Sequence, residues 1–294
     1  MAKKTSKSNG RLAVAKTYKI YIDGKFPRTE SGRYFALKDG KGNVIANVCR
    51  ASRKDFRNAV VAARKAQAAW ADASAYLRGQ ILYRIAEMLE GRREQFVAEL
   101  RAQGVASRAA EKETDASIDR LIYFAGWADK YQQIFSSVNP VNSSHFNFSV
   151  LEPTGVVSIL APEDSGLLGL ISNVAPVIVG GNTCVVLASE SLPLAAVSFA
   201  EVVHASDVPA GVVNLLTGFR SELTGHFASH MDVNAVIYCD GDRKLAKAVQ
   251  TAAADNIKRV VPRTNLDWSK ADLQHPYLIR DTQEVKTTWH PIGA

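Results

Sequence analysis

Cysteine is scarce: three residues in 294, Cys49, Cys184 and Cys239, scattered and with no CxxC pair. An odd, dispersed set argues against a disulfide framework or a thiolate zinc site and fits a reducing, cytoplasmic setting. Long apolar runs are missing as well. None reaches the ~18–20 residues of a bilayer span, so a membrane partner is not expected. The N-terminus, MAKKTSKSNGR, is basic but leads into no apolar segment, unlike a secretory signal. There is no HExxH. His226 and His230 stand at i, i+4 and could share a helix face for a metal, but packing at a helix terminus is the plainer reading. The tryptophans at 70, 127, 268 and 289 are too dispersed for a base-stacking platform and read as core or interface.

With 47% hydrophobic and 22% charged residues, the chain has an ordinary globular composition. Part of the net charge of +7 comes from Lys3, Lys4, Lys7, Arg11 and Lys16. No Arg-rich or aromatic motif accompanies them, so residues 1–17 read as a disordered solubilising tail and no nucleic acid is expected as a partner.

Residues 18–26 (YKIYIDGKF) alternate apolar and polar and break at Asp23-Gly24, an expected hairpin. A second hairpin is expected from 34–37 and 44–49, around the turn-rich DGKGN. From 52 to about 135 the period is helical, with apolar stripes Phe56, Val60, Ala63, Ala66; Leu77, Ile81, Ile85, Met88; and Ile118, Ile122, Ala125. Asp72 and Ser74 are candidate caps. Residues 136–152 are polar and Asn/Ser-rich between two β-like runs, and read as an exposed hairpin arm.

Beyond 154 the chain alternates. Apolar runs at 155–161, 182–188, 211–216, 235–239 and 258–261 are separated by helical stretches at 166–179, 193–205, 221–229 and 243–254. Continuous apolar runs suit parallel strands buried on both faces, and strand–helix alternation means a doubly wound α/β sheet. Such sheets bind ligands at the carboxyl ends of their strands. Residues 263–294 show no clear period until the strand-like TQEVKTTWHPIGA.

GVVSILAP (155–162), GGNTCVVLASE (180–190), VPAGVVNLLTGF (208–219) and SHMDVNAVIYCDGD (229–242) resemble, in order and spacing, the NAD(P)-binding domain of the aldehyde dehydrogenase superfamily. YIDGKF and FAGWADK (124–130) resemble its N-terminal arm and long helix. The likeness covers about 18–262 and implies a five-stranded Rossmann-like sheet without GxGxxG, approached by a dinucleotide through helix ends. LQHPYLIRDTQEVKTTWH resembles the family's C-terminal oligomerisation strand. The catalytic domain that lies between these parts in the family has no counterpart here.

The resemblance also locates the chemistry. The family's nucleophilic cysteine sits in a GQxC-like context that none of the three cysteines matches. Its oxyanion-donating Asn in a PWN-type motif corresponds to Pro162-Glu163-Asp164, where an ionised Asp can only accept. Its base, a Glu in LELGG, falls on Arg263, which cannot act as a base. The ribose-binding Lys falls on Leu187, with an acidic partner kept as Glu190. The pyrophosphate-binding Gly-Ser pair reads Gly241-Asp242. A carboxylate ~4 Å from a phosphate at an effective dielectric of ~20 costs roughly 4 kcal/mol, half of what micromolar binding provides. Arg243 and Lys244 would offset part of this, although with Lys247 they read more plainly as a solvated helix face. Candidate cofactor-binding residues are therefore Pro162, Glu190, Gly211, Gly241 and Asp242. No catalytic or metal-binding residue is assigned, and the expected cofactor is none, or weakly bound NAD(P).

These readings lead to a catalytically inactive structural or regulatory subunit, associating with a full-length aldehyde dehydrogenase or with itself. The alternative is the NAD-binding subunit of a split, NAD(P)-dependent aldehyde dehydrogenase.

Overall fold

The computed structural model describes residues 16–293. Most of the expected tail therefore lies outside the described residues, and its last two members are ordered. Lys16 pairs with Glu201 at 3.2 Å, and Thr17 is already in a strand.

That strand, β1 (Thr17–Tyr18), runs parallel to β3 (Val44–Cys49), which pairs antiparallel with β2 (Tyr34–Lys38). The second expected hairpin is present. The first is reduced to a turn, with Ile22 and Lys25 bonded around Asp23-Gly24, because the segment pairs elsewhere. Tyr21 exchanges backbone hydrogen bonds with Leu215 at 2.8 and 2.7 Å, so the segment adds to the edge of the central sheet rather than folding on itself.

Helices α1 (Arg53–Asp72), α2 (Ala75–Glu90), α3 (Arg93–Ala102), α4 (Ser107–Ala125) and α5 (Tyr131–Phe135) follow. A reciprocal capping box of Ser52 and Asp55 starts α1, and Ser74 accepts from Leu77 N at 3.1 Å to start α2. Asp72 is the last residue of α1 and not a cap. The buried stripes run through Ile81, Leu82, Ile85 and Leu89 on α2 and Ile118, Leu121 and Phe124 on α4. Leu77 and Ile122 lie off these stripes and are exposed, because each helix turns its packing face slightly away from the expected line.

The arm is a sheet of β4 (Ser137–Asn139), β5 (His145–Pro153) and the C-terminal β11 (Gln283–Pro291), in the order β11-β5-β4. From β5 the chain enters β6 (Val156–Leu160), then α6 (Leu168–Val179), β7 (Thr183–Leu187), α7 (Pro193–His204), β8 (Val213–Leu216), α8 (Arg220–Ser229), β9 (Ala235–Tyr238), α9 (Arg243–Ala253) and β10 (Arg259–Pro262). These five strands are parallel, in the order β10-β9-β6-β7-β8. α1 and α8 cover one face through Phe56, Val60 and Phe227; α6 and α7 cover the other, backed by α2, α3 and α4. The α/β, Rossmann-like arrangement is the expected one.

The aperiodic segment after β10 is a cover. It carries a 3-10 turn (Ala271–Leu273) and α10 (Tyr277–Arg280), and it buries Trp268, Leu278 and Ile279. Two buried arginines fasten it. Arg120 of α4 donates to Trp268 O at 3.1 Å and Leu273 O at 3.0 Å, and Arg263 donates to Leu278 O at 3.3 Å and Asp281 at 2.9 Å. Among the described residues no helix is long and apolar enough to cross a membrane.

Candidate functional site

The strand order changes direction at β6: β7 and β8 lie on one side of it, β9 and β10 on the other. A crevice opens at such a switch point, outside the carboxyl ends of the strands, and open α/β sheets bind ligands there. Ala161, Pro162 and Glu163 reach it from β6, Ser189 and Glu190 from β7, Phe219 and Arg220 from β8, and Asp240, Gly241 and Asp242 from β9.

Arg220 fills this crevice. It is the first residue of α8, yet its side chain is only 10% exposed. Its guanidinium donates to the Ala161 carbonyl at the end of β6 and to Glu163, and it stands 3.5 Å from Asp240 beyond β9. One arginine thus joins the two strands that flank the switch point. Sequence reasoning did not single it out; the signal was a bulky cation in GFR (218–220), at a loop–helix junction on the ligand side.

Glu163 is the partner that organises the rest. Besides Arg220, it accepts from Ser189 Oγ, Glu190 N and Ser191 N, each at 3.0 Å. Burial pushes its carboxyl upward, but Arg220 and the two backbone N–H groups outweigh that and hold it below the usual carboxylate range.

Helix N-termini carry partial positive charge and free N–H groups, the ordinary means by which this fold class holds phosphate. Here they meet carboxylates of the chain itself. Glu113 of α4 accepts from Leu167 N and Leu168 N, at 2.9 and 3.1 Å, at the start of α6. Glu190 accepts from Arg220 N at 3.0 Å at the start of α8. Asp242 is the N-cap of α9 and accepts from Lys244 N at 2.8 Å.

Of the five expected cofactor-binding residues, Pro162, Glu190, Gly241 and Asp242 come together at this crevice. Pro162 is buried against Gly169, and Gly241 faces Asn265, whose Oδ1 would lie 2.8 Å from an added Cβ. Gly211 does not join them. It precedes β8, at the amino end of the strands, with φ +86°, and a Cβ there would meet Ala62 O at 2.5 Å. A turn against α1 requires this glycine, so its placement among cofactor contacts is corrected.

Leu187 ends β7 with its side chain in the core, where no ribose could reach it. Arg243, Lys244 and Lys247 are exposed. Arg263 is 4% exposed and bonded to Asn173 Oδ1 at 2.9 Å as well as to Asp281. Asp164 is exposed and lines a cavity of about 640 Å³ with Lys112, Glu113, Asn265 and Trp268.

The three cysteines are buried, and burial pushes the Cys184 and Cys239 thiols up to about 12. Among the described residues no group of three or more His, Cys, Asp or Glu could hold a metal ion. His230 caps the carboxyl end of α8, stacks edge-on to Phe56 and accepts from Asp232 N at 3.2 Å.

Comparison with known proteins agrees with this architecture. The family model described as "Aldehyde dehydrogenase family" matches residues 28–263. Cytosolic 10-formyltetrahydrofolate dehydrogenase of Mus musculus is 30% identical over 259 residues, 85% of this chain and 28% of that protein. Aldehyde dehydrogenase, cytosolic 1 of Elephantulus edwardii is 32% identical over 82% of this chain and 49% of its own length. A solved aldehyde dehydrogenase from Bacillus cereus, described as an NAD+ complex, superposes with a TM-score of 0.79 at 26% identity, over 84% of this chain and 51% of that one. The chain spans about half or less of the length of these relatives. It belongs to the aldehyde dehydrogenase family.

Proposed function

We propose that this chain is a non-catalytic member of the family, a structural or regulatory subunit that works by associating with a full-length aldehyde dehydrogenase. The arm carries this reading. β11 pairs with β5 along its whole length, from Gln283 opposite Pro153 to Pro291 opposite His145. It is also the outer strand of its sheet, and its Val285 and Trp289 are 60% and 58% exposed. An edge strand with exposed apolar side chains is a template for pairing with another chain.

The positions that fall on the family's catalytic Asn and Glu, and the cysteine that follows β9, favour the same reading. Arg263 is committed to Asp281 and Asn173, the Cys239 thiol is buried and hard to ionise, and Asp164 can only accept hydrogen bonds when ionised. A second reading, the cofactor-binding subunit of a split dehydrogenase, draws support from the overlay with a relative described as an NAD+ complex. The carboxylates on the helix N-termini count against it.

The test is co-expression with a full-length aldehyde dehydrogenase from the same genome, followed by mass measurement in solution. The intact chain should co-purify at fixed stoichiometry and a chain lacking 284–294 should not. Equal behaviour of the two chains would sink the proposal.

A further inference from the structure

The family resemblance implies a dinucleotide at the switch-point crevice, and the residues present there do not fit one. Glu163, Glu190, Asp240 and Asp242 ring the crevice, with Asp164 beside it, and the buried cation among them is already paired. Arg220 N at the start of α8 is bonded to Glu190, and Lys244 N and Leu245 N at the start of α9 are bonded to Asp242. Arg243 and Lys244, in the first turn of α9, are exposed to solvent and make no ion pair with these carboxylates.

We propose that Arg220 is a built-in occupant of the switch-point crevice, an internal cation that with Glu163 and Asp240 takes the place of a dinucleotide and holds the strand ends together without one. The geometry supports this in three ways. The guanidinium bridges the ends of β6 and β9, the same gap a ligand at a switch point spans. It is sunk to 10% exposure, so it is part of the packed structure, with Nη1 the one guanidinium nitrogen that makes no hydrogen bond. Its chief partner, Glu163, also fixes the loop after β7 through Glu190 N and Ser191 N, so the same two residues tie three strand ends into one network. Opening room for a nucleotide would break these bonds together and leave buried charges without partners.

The inference rests on the non-catalytic reading, but it is read out by ligand binding, whereas that reading is tested by assembly; either can fail alone. Calorimetric titration with NAD would compare the unmodified full chain with Arg220→Gly and with Arg220→Gly/Asp242→Ser. No saturable binding is expected for the unmodified chain up to about 1 mM, and each variant should bind at least roughly tenfold more tightly. If Arg220 were instead a phosphate ligand, the variants would bind more weakly than the unmodified chain, which overturns the proposal. So does micromolar binding by the unmodified chain, or folded variants with no gain. Circular dichroism checks folding, and Arg220→Ser replaces the glycine variant where that does not fold. Hydrogen exchange of the Glu190 and Arg220 amides in the unmodified chain gives a measurement independent of any variant. It should be slow and unchanged by 1 mM NAD, and a change in either amide on adding NAD overturns the idea.

Discussion

Asn182 holds Thr282 across 100 residues of sequence: its Nδ2 donates to the Thr282 carbonyl at 2.9 Å, while its Oδ1 accepts from Gly155 N at 2.8 Å. One fully buried amide thus ties the start of β6 to the point where the C-terminal segment turns into β11. The arm and the central sheet are fastened to each other at that point.

Replacing Asn182 with Ala removes both bonds and leaves the buried Gly155 N–H unpartnered, while the Thr282 carbonyl keeps Thr154 N at 3.2 Å, at a cost of about 1–3 kcal/mol. Urea or thermal unfolding should show the loss. A cost below about 1 kcal/mol would mean that water reaches the site and that the arm is less firmly attached than its hydrogen bonds indicate.

Glu163 makes stability depend on pH with a defined sign. Its folded pKa is depressed by Arg220 and two backbone N–H groups, although burial opposes them. The unfolded chain therefore takes up this proton first as pH falls. The stabilisation is fully present above the unfolded carboxylate range, near ~4.3, and is lost as pH drops through the folded value. Glu163→Gln should cost about 2 kcal/mol at pH 7, the worth of hydrogen bonds to charged groups. The gap between the two proteins should close below pH ~4. A gap that stays constant down to pH 3 would rule out the charge as its source.

Much of this architecture was legible in the residues. Runs such as GVVSILA and NTCVVLA are apolar on both faces because parallel central strands are covered on both sides, and the observed strands fall within a residue or two of those runs. The pairing of residues 18–26 was not legible, because the partner of Tyr21 is Leu215, nearly two hundred positions away. The site divides the same way. The family resemblance singled out Asp242 and Glu190 just past two expected strands, but their role at helix N-termini depends on which N–H groups face them. Arg220 was hidden for a similar reason. Its importance comes from the β9–β6 adjacency, which strand order creates and sequence neighbours do not show.

The cysteines should be chemically silent. Cys49, Cys184 and Cys239 are all buried, and Cys239 at a pKa of about 12 has almost no thiolate at neutral pH. Titration with a disulfide reagent at pH 8 should label none of them in the native chain and three after unfolding. Rapid stoichiometric labelling of Cys239 in the folded chain would reopen the question of a nucleophile at the crevice.

The last prediction separates the arm's interface role from its structural one. Removing the whole C-terminal segment would confuse the two. Thr282 and Gln283 are 0% and 2% exposed, and Gln283 also donates to Gly180 O at 3.0 Å, so their loss damages the domain itself. Val285 and Trp289 offer a cleaner test. They pair in register with Leu151 and Asn147, four positions apart on one face of the strand, and both are exposed. Substituting Val285→Lys and Trp289→Glu keeps every backbone bond of β11 to β5 and replaces only the outward surface. Trp289 does lose its edge-on contact with His145, at 5.8 Å between ring centres, worth about 1 kcal/mol. Unfolding should therefore change little, while association with a full-length aldehyde dehydrogenase, or with a second copy, should weaken at least tenfold, about 1.4 kcal/mol. Unaltered assembly would show that β11 only seals the edge of its own hairpin, and that any partner binds elsewhere.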